Sequence, residues 1–301
     1  MPTIPLMPAC KDYLWGGETL KQKYGIQSNL HPLAEAWVLS CHPDGPSLLQ
    51  DGSTLQQYIE KHPGCLGTHC APFKQFPLLA KLIDAKQPLS IQVHPSDTYA
   101  LEHEGQYGKT EMWYVVDCMP GATLFYGFEH EITAKELEQR IHDNTITHVL
   151  RSVQVHPGDC FFIEAGTLHA IGEGIVIAEV QQNSNVTYRV YDYNRKGIDG
   201  KPRELHIQQA IAVANLERPK PHDFSPHLAQ CPYFTVDLLC APNCKVVDKT
   251  SFGAILVVDG EGTLQCEGEK IHLTKGMSCF MPADSGEFSL CGTVKVLYMT
   301  V

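Results

Sequence analysis

The sequence predicts a mainly β fold with a few short helices. Its 24 glycines and 20 prolines separate many short apolar runs, which is typical of all-β proteins. Some of these runs alternate apolar with polar residues, as half-buried strands do, and residues 89–94 (LSIQVH) are a clear example. With 301 residues, the chain is long enough for one large domain or two ordinary ones.

The individual elements follow from local patterns. Residues 1–50 are expected to be irregular with short strands. Thr133 is placed to cap a helix, because Glu136 follows three residues later and Leu137 and Ile141 lie four residues apart. Helical spacing of apolar residues predicts helices at 54–61, 133–142 and 204–215. Short apolar runs predict strands at 34–39, 111–116, 149–156, 160–163 and 174–181.

Composition excludes several classes of partner. The net charge of −11 argues against nucleic acid and anionic membranes. No apolar run approaches the roughly 18 residues of a membrane span, and the first residues lack the basic-then-apolar pattern of a signal peptide. The twelve cysteines are scattered, with no C-x-x-C pair, which favours buried, reduced thiols. We therefore expect a cytoplasmic protein.

A row of polar residues on one strand indicates a metal site. Because successive side chains of a strand point to opposite faces, Ser90, Gln92 and His94 share one face and the apolar residues between them share the other. Polar groups on a buried strand are costly unless something satisfies them, and a metal would do so. A second strand-like run (EMWYVV) begins with Glu111. We expect these two strands to be neighbours that form half of a metal cup.

Residues 155–170 (VHPGDCFFIEAGTLHA) indicate the other half of the cup. Residues 157–159 predict a turn, an apolar strand follows, and residues 165–167 break that strand just before His169. This spacing resembles the second motif of the cupins, which are small jelly-roll barrels with a metal in their mouth. The first cupin motif is similar to residues 89–114, with Gln92 where many cupins have histidine. Nitrogen and oxygen ligands without a thiolate suit Zn²⁺, Fe²⁺ or Mn²⁺.

The C-terminal part repeats the strand pattern without the ligands. Residues 254–281 predict strands separated by turns at Asp259-Gly260 and Lys275-Gly276. No histidine stands at 282–284, where a metal site would close, and His272 lies on the wrong strand. We therefore expect two cupin-like jelly-roll barrels, a metal-binding domain with helical segments at 1–217 and a metal-free β domain at 218–301.

Two basic residues stand near the predicted cup. Lys109 precedes Glu111 by two residues, so on a strand it would share that face, and Arg189 follows the strand after His169. Taken alone, Arg189 reads as an exposed, salt-bridged residue, and Lys109 as a solvated one or as the ion-pair partner of Glu111. Beside a metal in an acidic protein, both would suit a phosphate or a developing oxyanion.

With these residues in place, the sequence resembles the type I mannose-6-phosphate isomerases, in particular their short bacterial form. Residues 88–95 (PLSIQVHP) look like the family signature, residues 109–113 (KTEMW) like its second block and residues 165–170 (AGTLHA) like its third. Residues 13–17 and 34–37 are similar to its N-terminal blocks, so the resemblance covers essentially the whole chain. Longer members insert a helical domain for which this chain has no room.

The resemblance implies an aldose–ketose isomerase that interconverts mannose 6-phosphate and fructose 6-phosphate through an enediol, with one zinc ion per chain. The implied site consists of zinc ligands at Gln92, His94, Glu111 and His169, an active-site arginine at Arg189, and sugar-phosphate pocket positions at Ser90 and Lys109.

Some roles stay open in this comparison. The local sequence around Arg189 differs from that of the arginine in longer members, and Arg195 and Lys196 compete as phosphate contacts. The sequence does not single out the general base; the candidates are Lys109 with a depressed pKa and a zinc-bound water.

Two other hypotheses compete with the isomerase. A non-haem iron oxygenase also uses two histidines and a carboxylate, although Gln92 would fill a position that dioxygen and substrate need. A non-catalytic sugar-binding cupin would need a vestigial metal cup, whereas every ligand is present in this sequence.

Overall fold

A computed structural model describes residues 3–196 and 200–301 of the chain. Over these residues the fold is mainly β with five short α-helices, which confirms the predicted fold class. No helix in these two ranges is both long and apolar enough to cross a membrane. The helices are α1 (Thr19–Tyr24), α2 (Leu55–Lys61), α3 (Asp97–His103), α4 (Ala134–His142) and α5 (Ile207–Val213), with 3₁₀ turns at Thr68–Cys70 and Ile146–His148.

The strands are two to eight residues long and pair antiparallel wherever their register is defined. In chain order the first twelve are β1 (Ile4–Leu6), β2 (Ala9–Lys11), β3 (Glu35–Ser40), β4 (Leu78–Ala85), β5 (Ile91–Val93), β6 (Glu111–Cys118), β7 (Thr123–Phe128), β8 (Leu150–Gln154), β9 (Cys160–Ile163), β10 (His169–Ala170), β11 (Ile175–Gln182) and β12 (Tyr188–Tyr191). The others are β13 (Ala229–Gln230), β14 (Thr235–Cys240), β15 (Asn243–Val247), β16 (Gly253–Asp259), β17 (Gly262–Cys266), β18 (Glu269–Leu273), β19 (Ser278–Met281), β20 (Gly286–Gly292) and β21 (Lys295–Thr300).

The chain divides into two compact units. Unit 1 comprises Met1–Asp84, Ile177–Asn183 and Asp223–Val301, and unit 2 comprises Ala85–Val176 and Ser184–His222. The N-terminal segment thus belongs to the same unit as the C-terminal strands. The expected division into a metal-binding domain at 1–217 and a metal-free one at 218–301, and the two-barrel arrangement, stay predictions.

Unit 1 contains two sheets that share one core. A six-stranded sheet has the order β1-β19-β16-β21-β14-β13, and a four-stranded sheet has the order β15-β20-β17-β18. Apolar residues from both sheets pack together, among them Ile255, Leu264, Phe288 and Val296. The predicted turn after β16 is confirmed: Gly260 has φ +70°, and a Cβ there would lie 2.3 Å from the Thr293 carbonyl oxygen, so the turn requires glycine.

Unit 2 carries a five-stranded sheet with the order β12-β5-β10-β7-β8 and the antiparallel pair β6-β9. Ile91 and Val93 of β5 are fully buried in a core with Leu137 of α4 and Ala210 of α5. One face of this sheet therefore packs on helices, as the alternating pattern predicts. Gln92 lies on the opposite face of β5.

The predicted helices are confirmed with one shift. Thr133 caps α4 by accepting a hydrogen bond from the Glu136 backbone N–H, and the Glu136 carboxylate pairs with Arg140 at 3.2 Å. The helix predicted over 204–215 begins only at Ile207, because residues 204–206 run alongside β12 instead. Helices α1 and α3 were not predicted.

Candidate metal centre and active site

Four side chains line up across the five-stranded sheet of unit 2. Gln92 of β5 lies opposite Arg189 of β12 on one side and opposite His169 of β10 on the other. His169 in turn lies opposite Tyr126 of β7. Residues directly opposite each other in antiparallel strands project from the same face. Strand pairing therefore brings together Gln92, His169 and Arg189, which are far apart in sequence.

His94 and Glu111 complete a buried cluster with His169. His169 Nε2 lies 3.2 Å from His94 Nε2 and 3.3 Å from Glu111 Oε1, and His94 Nε2 lies 3.7 Å from Glu111 Oε2. The three side chains are at most 1% exposed. Among residues 3–196 and 200–301, no other three His, Cys, Asp or Glu side chains lie close enough together to share a metal ion.

The prediction that the two strands of the cup are neighbours is wrong. β5 belongs to the five-stranded sheet, whereas β6 pairs with β9 in a different sheet. Glu111 therefore reaches the histidines from a second sheet. The period of two shows which residues share a face of one strand, but it carries no information on which strand lies beside it.

The hydrogen bonds of the two imidazoles suit a metal ion. His94 Nδ1 lies 2.9 Å from the Val186 carbonyl oxygen, and His169 Nδ1 lies 2.8 Å from the Thr167 carbonyl oxygen. A carbonyl oxygen only accepts, so each Nδ1 carries the proton and each Nε2 turns its lone pair toward the cluster. These two lone pairs and the Glu111 carboxylate lie within 4.8 Å of one another and converge on one point, as the ligands of a metal ion do. The donor set therefore fits a metal.

Gln92 is placed to add a fourth donor. Its side-chain amide nitrogen lies 3.4 Å from His169 Nε2. A half turn of the amide exchanges nitrogen for oxygen, so Gln92 is able to present its carbonyl oxygen to the same point. With two imidazoles, one carboxylate and one amide, the site has the nitrogen and oxygen donors that divalent transition metals accept.

Lys109 brings a positive charge into the cluster. It is 4% exposed, and its Nζ lies 2.6 Å from Glu111 Oε2 and 3.2 Å from His94 Nε2. Lys109 lies in the loop before β6 rather than on a strand, yet its side chain meets the Glu111 carboxylate as expected. Lys109 is therefore not a solvated surface lysine. It is both the ion-pair partner of Glu111 and a member of the buried cluster.

Two arginines, Arg195 and Arg203, bind one aspartate close to Arg189. The Asp192 carboxylate accepts hydrogen bonds from Arg195 Nε at 3.1 Å and from Arg203 Nε at 2.7 Å. Burial acts to raise the pKa of Asp192, but the bonds from Arg203 and Arg195 outweigh it and hold that pKa below its usual value. Burial and the charge of Arg203 lower the pKa of Arg189. This basic cluster is able to bind an anion within an acidic protein.

The candidate phosphate contacts differ in their placement. Arg195 Nη1 donates to the Pro88 carbonyl oxygen at 2.6 Å, which ties it to the segment that carries Ser90. Ser90 is buried and lies two residues before Gln92, on the same face of the chain. Lys196, in contrast, is exposed. The geometry favours Arg195 over Lys196.

Sequence reasoning missed three residues of this region. His206 was expected to lie within the helix over 204–215 and Arg203 was not singled out, because no local pattern distinguishes either residue. Tyr126 lies in the cross-strand row with His169, its hydroxyl donates to the Phe162 carbonyl oxygen at 2.7 Å, and burial raises its pKa to about 12. Only a knowledge of strand order would have placed these three side chains at the site.

Comparison with known proteins assigns the family. Residues 3–113 match the catalytic domain of phosphomannose isomerase type I, and residues 226–301 match the cupin domain of mannose-6-phosphate isomerase. The chain is 39% identical to mannose-6-phosphate isomerase ManA of Bacillus subtilis over 97% of each chain, and 36% identical to the mannose-6-phosphate isomerase of Streptococcus mutans over 94% of this chain and 93% of that one.

A solved structure agrees with this assignment. The crystal structure of the Bacillus subtilis mannose 6-phosphate isomerase superposes with a TM-score of 0.92 at 33% identity, and the match covers 100% of both chains. Full-length sequence similarity and the same fold lead to one conclusion. The chain belongs to the type I phosphomannose isomerase family and is an isomerase.

Proposed function

We propose that this enzyme interconverts mannose 6-phosphate and fructose 6-phosphate and that it uses one zinc ion per chain. The observation that carries the proposal is the convergence of His94, Glu111 and His169, with both Nε2 lone pairs directed inward, in a chain of this family. The relatives named for this reaction match 97% and 94% of the chain, which supports the choice of substrate.

The zinc would be held by Nε2 of His94 and His169, the Glu111 carboxylate and the Gln92 amide oxygen. Bound there, zinc supplies a Lewis acid that polarises the sugar oxygens between which the carbonyl moves. Buried nitrogen and oxygen donors with no thiolate suit zinc, and they suit Fe²⁺ as well. The family assignment favours the isomerase over an iron oxygenase, because the matched family is named for an isomerisation, a reaction that does not use dioxygen.

The basic side chains would act on the substrate directly. The reaction moves a proton between C1 and C2, and negative charge develops on the enediol oxygens. Arg189, on the same face as Gln92, would stabilise that charge or hold the phosphate. Arg195 donates a hydrogen bond to the carbonyl oxygen of Pro88, two residues before Ser90, and would contribute to the phosphate pocket. Lys109, buried within the cluster, or a water bound to the zinc would exchange the proton.

The thiols support a reducing location. All twelve cysteines are free, and nine of the twelve are buried or half-buried rather than joined in disulfides. Disulfides persist in oxidising compartments and are rare in the cytosol. We therefore propose a cytoplasmic enzyme whose partner is a small sugar phosphate.

A coupled assay of mannose 6-phosphate isomerisation tests the proposal. The protein is assayed as purified, after removal of metal with a chelator, and after zinc is restored. Activity that disappears with the chelator and returns with zinc supports both the substrate and the metal. If the zinc-loaded protein left mannose 6-phosphate unchanged, the substrate assignment would be wrong, and metal analysis for bound iron would then test the oxygenase alternative.

A further inference from the structure

The segment 204–206 holds Arg189 from the outer side of its strand. β12 is an edge strand of the five-stranded sheet. The Arg189 backbone N–H donates to Nδ1 of His206 at 3.1 Å, and the His206 backbone N–H donates to the Arg189 carbonyl oxygen at 2.8 Å. Arg189 Nη1 donates to the Glu204 carbonyl oxygen at 3.0 Å. One short segment therefore restrains both the backbone and the guanidinium of Arg189.

These bonds also define how Arg189 meets Gln92. Because both backbone groups of Arg189 point to His206, Arg189 and Gln92 form a non-hydrogen-bonded pair of the antiparallel ladder. In such pairs the Cα atoms lie about 4.5 Å apart instead of about 5.5 Å, so the side chains are closer. The register of β12 then shifts between Arg189 and Tyr191, and such irregularities re-aim side chains. The direction of the Arg189 side chain thus depends on its outer contacts.

His206 is itself firmly anchored. It occupies the N-cap position of α5, and its carbonyl oxygen accepts the Ala210 backbone N–H at 2.9 Å. Ala210 is fully buried in the core of unit 2. The imidazole also packs against Tyr188, with ring centroids 6.0 Å apart. Because His206 is fixed to a packed helix, it is able to hold the neighbouring residues of β12 in a defined position.

We propose that His206 is a positioning residue for isomerisation: its neutral imidazole, with the acceptor at Nδ1, sets the backbone of Arg189 and thereby aims the guanidinium at the sugar phosphate. This inference rests on the proposed role of Arg189. Within residues 3–196 and 200–301, Arg189 Nε is buried without a hydrogen-bond partner. A buried cationic N–H with no acceptor is costly, which indicates that it meets an anionic oxygen of the substrate.

Three substitutions of His206 distinguish the effect of its Nδ1 acceptor from the effect of its side-chain volume. In His206→Asn, the side-chain oxygen replaces Nδ1 as the acceptor, whereas in His206→Gln the acceptor lies one bond farther out, and His206→Leu has none. Misplacement of a catalytic group by about 1 Å can cost about 100-fold. We expect the Leu and Gln variants to lose about 10- to 100-fold in kcat, with zinc content retained, and the Asn variant to recover most of the activity.

A control removes another histidine whose Nδ1 makes a hydrogen bond to the backbone, in this case as the donor. His62 follows α2 in unit 1, and its Nδ1 lies 2.8 Å from the Tyr58 carbonyl oxygen. His62→Leu should leave kcat and KM unchanged. If His206→Asn were no more active than His206→Gln, or if His206→Leu kept wild-type kcat, the positioning role would be wrong.

A double-mutant cycle asks whether His206 acts through Arg189. In the Arg189→Gln background, His206→Leu should cause no further loss of kcat, because the group that it positions is already gone. An equal loss in both backgrounds would indicate a general structural role and would overturn the inference.

Amide hydrogen exchange at Arg189 separates this inference from the proposed function. The Arg189 amide should exchange faster in His206→Leu than in the wild type or in His206→Asn. If the wild-type protein showed no isomerisation, the proposed function would fall, and the exchange rates alone would decide whether His206 holds Arg189. Unchanged exchange in His206→Leu would contradict the inference whatever the activity.

Discussion

The substitution Lys109→Met tests whether a buried ammonium and a bound metal balance the same carboxylate. Lys109 Nζ lies 2.6 Å from Oε2 of Glu111, whose side chain is 0% exposed. Removal of one partner of a buried ion pair costs about 3–5 kcal/mol, because the other charge stays buried. At about 2–4 °C per kcal/mol, the metal-free variant should melt about 6–20 °C below the metal-free wild type.

Zinc should reduce this difference. A divalent ion held by Glu111 balances the carboxylate in the variant as well, so the zinc-loaded proteins should differ much less in Tm than the metal-free proteins do. Calorimetry of both forms of both proteins measures the effect, and Lys135→Met removes an exposed lysine on α4 as the control. The same difference in Tm with and without zinc would refute the reasoning, as would no difference in the metal-free forms.

Two further predictions concern the cluster and the basic region. His169→Gln should lower bound zinc well below one ion per chain and abolish isomerisation, whereas His156→Gln, at an exposed histidine, should change neither; full zinc binding by His169→Gln would contradict the ligand assignment. Since Arg203 and Arg195 hold the pKa of Asp192 below its ordinary value near 3.9, its ion pairs stabilise the protein fully above about pH 5 and fade as pH falls through the lowered pKa. In urea unfolding, the stability difference between wild type and Asp192→Asn should therefore shrink from pH 6 to pH 3, and a difference independent of pH would contradict this assignment.

Local patterns predicted the candidate ligands because the signals for them lie in short stretches of sequence. Gln92 and His94 share a face through the period of two, and His169 follows a turn and a strand that are visible in sequence. Gln92 lies directly opposite His169 on one side and Arg189 on the other, and His94 Nε2 lies 3.2 Å from His169 Nε2, which confirms that these residues meet. The capped helix α4 was predictable for the same reason, since its signals lie within ten residues of one another.

Long-range relations were not predictable from these patterns. β5 and β6 were expected to be neighbours, but they lie in different sheets, because alternation does not encode strand order. Residues 204–206 carry helical spacing, yet they run beside β12, where His206 bonds to Arg189 across a long separation in sequence. Tertiary hydrogen bonds override local helix propensity at this point, so the contact between residues 204–206 and Arg189 became visible only with the fold.

The most direct test of the central claim is a zinc titration of the metal-free protein, with mannose 6-phosphate turnover and bound zinc measured on the same samples. If Gln92, His94, Glu111 and His169 hold the ion that the reaction requires, turnover should rise in proportion to bound zinc and reach a plateau at one ion per chain. Full turnover without metal, or one tightly bound zinc with no turnover, would contradict the account.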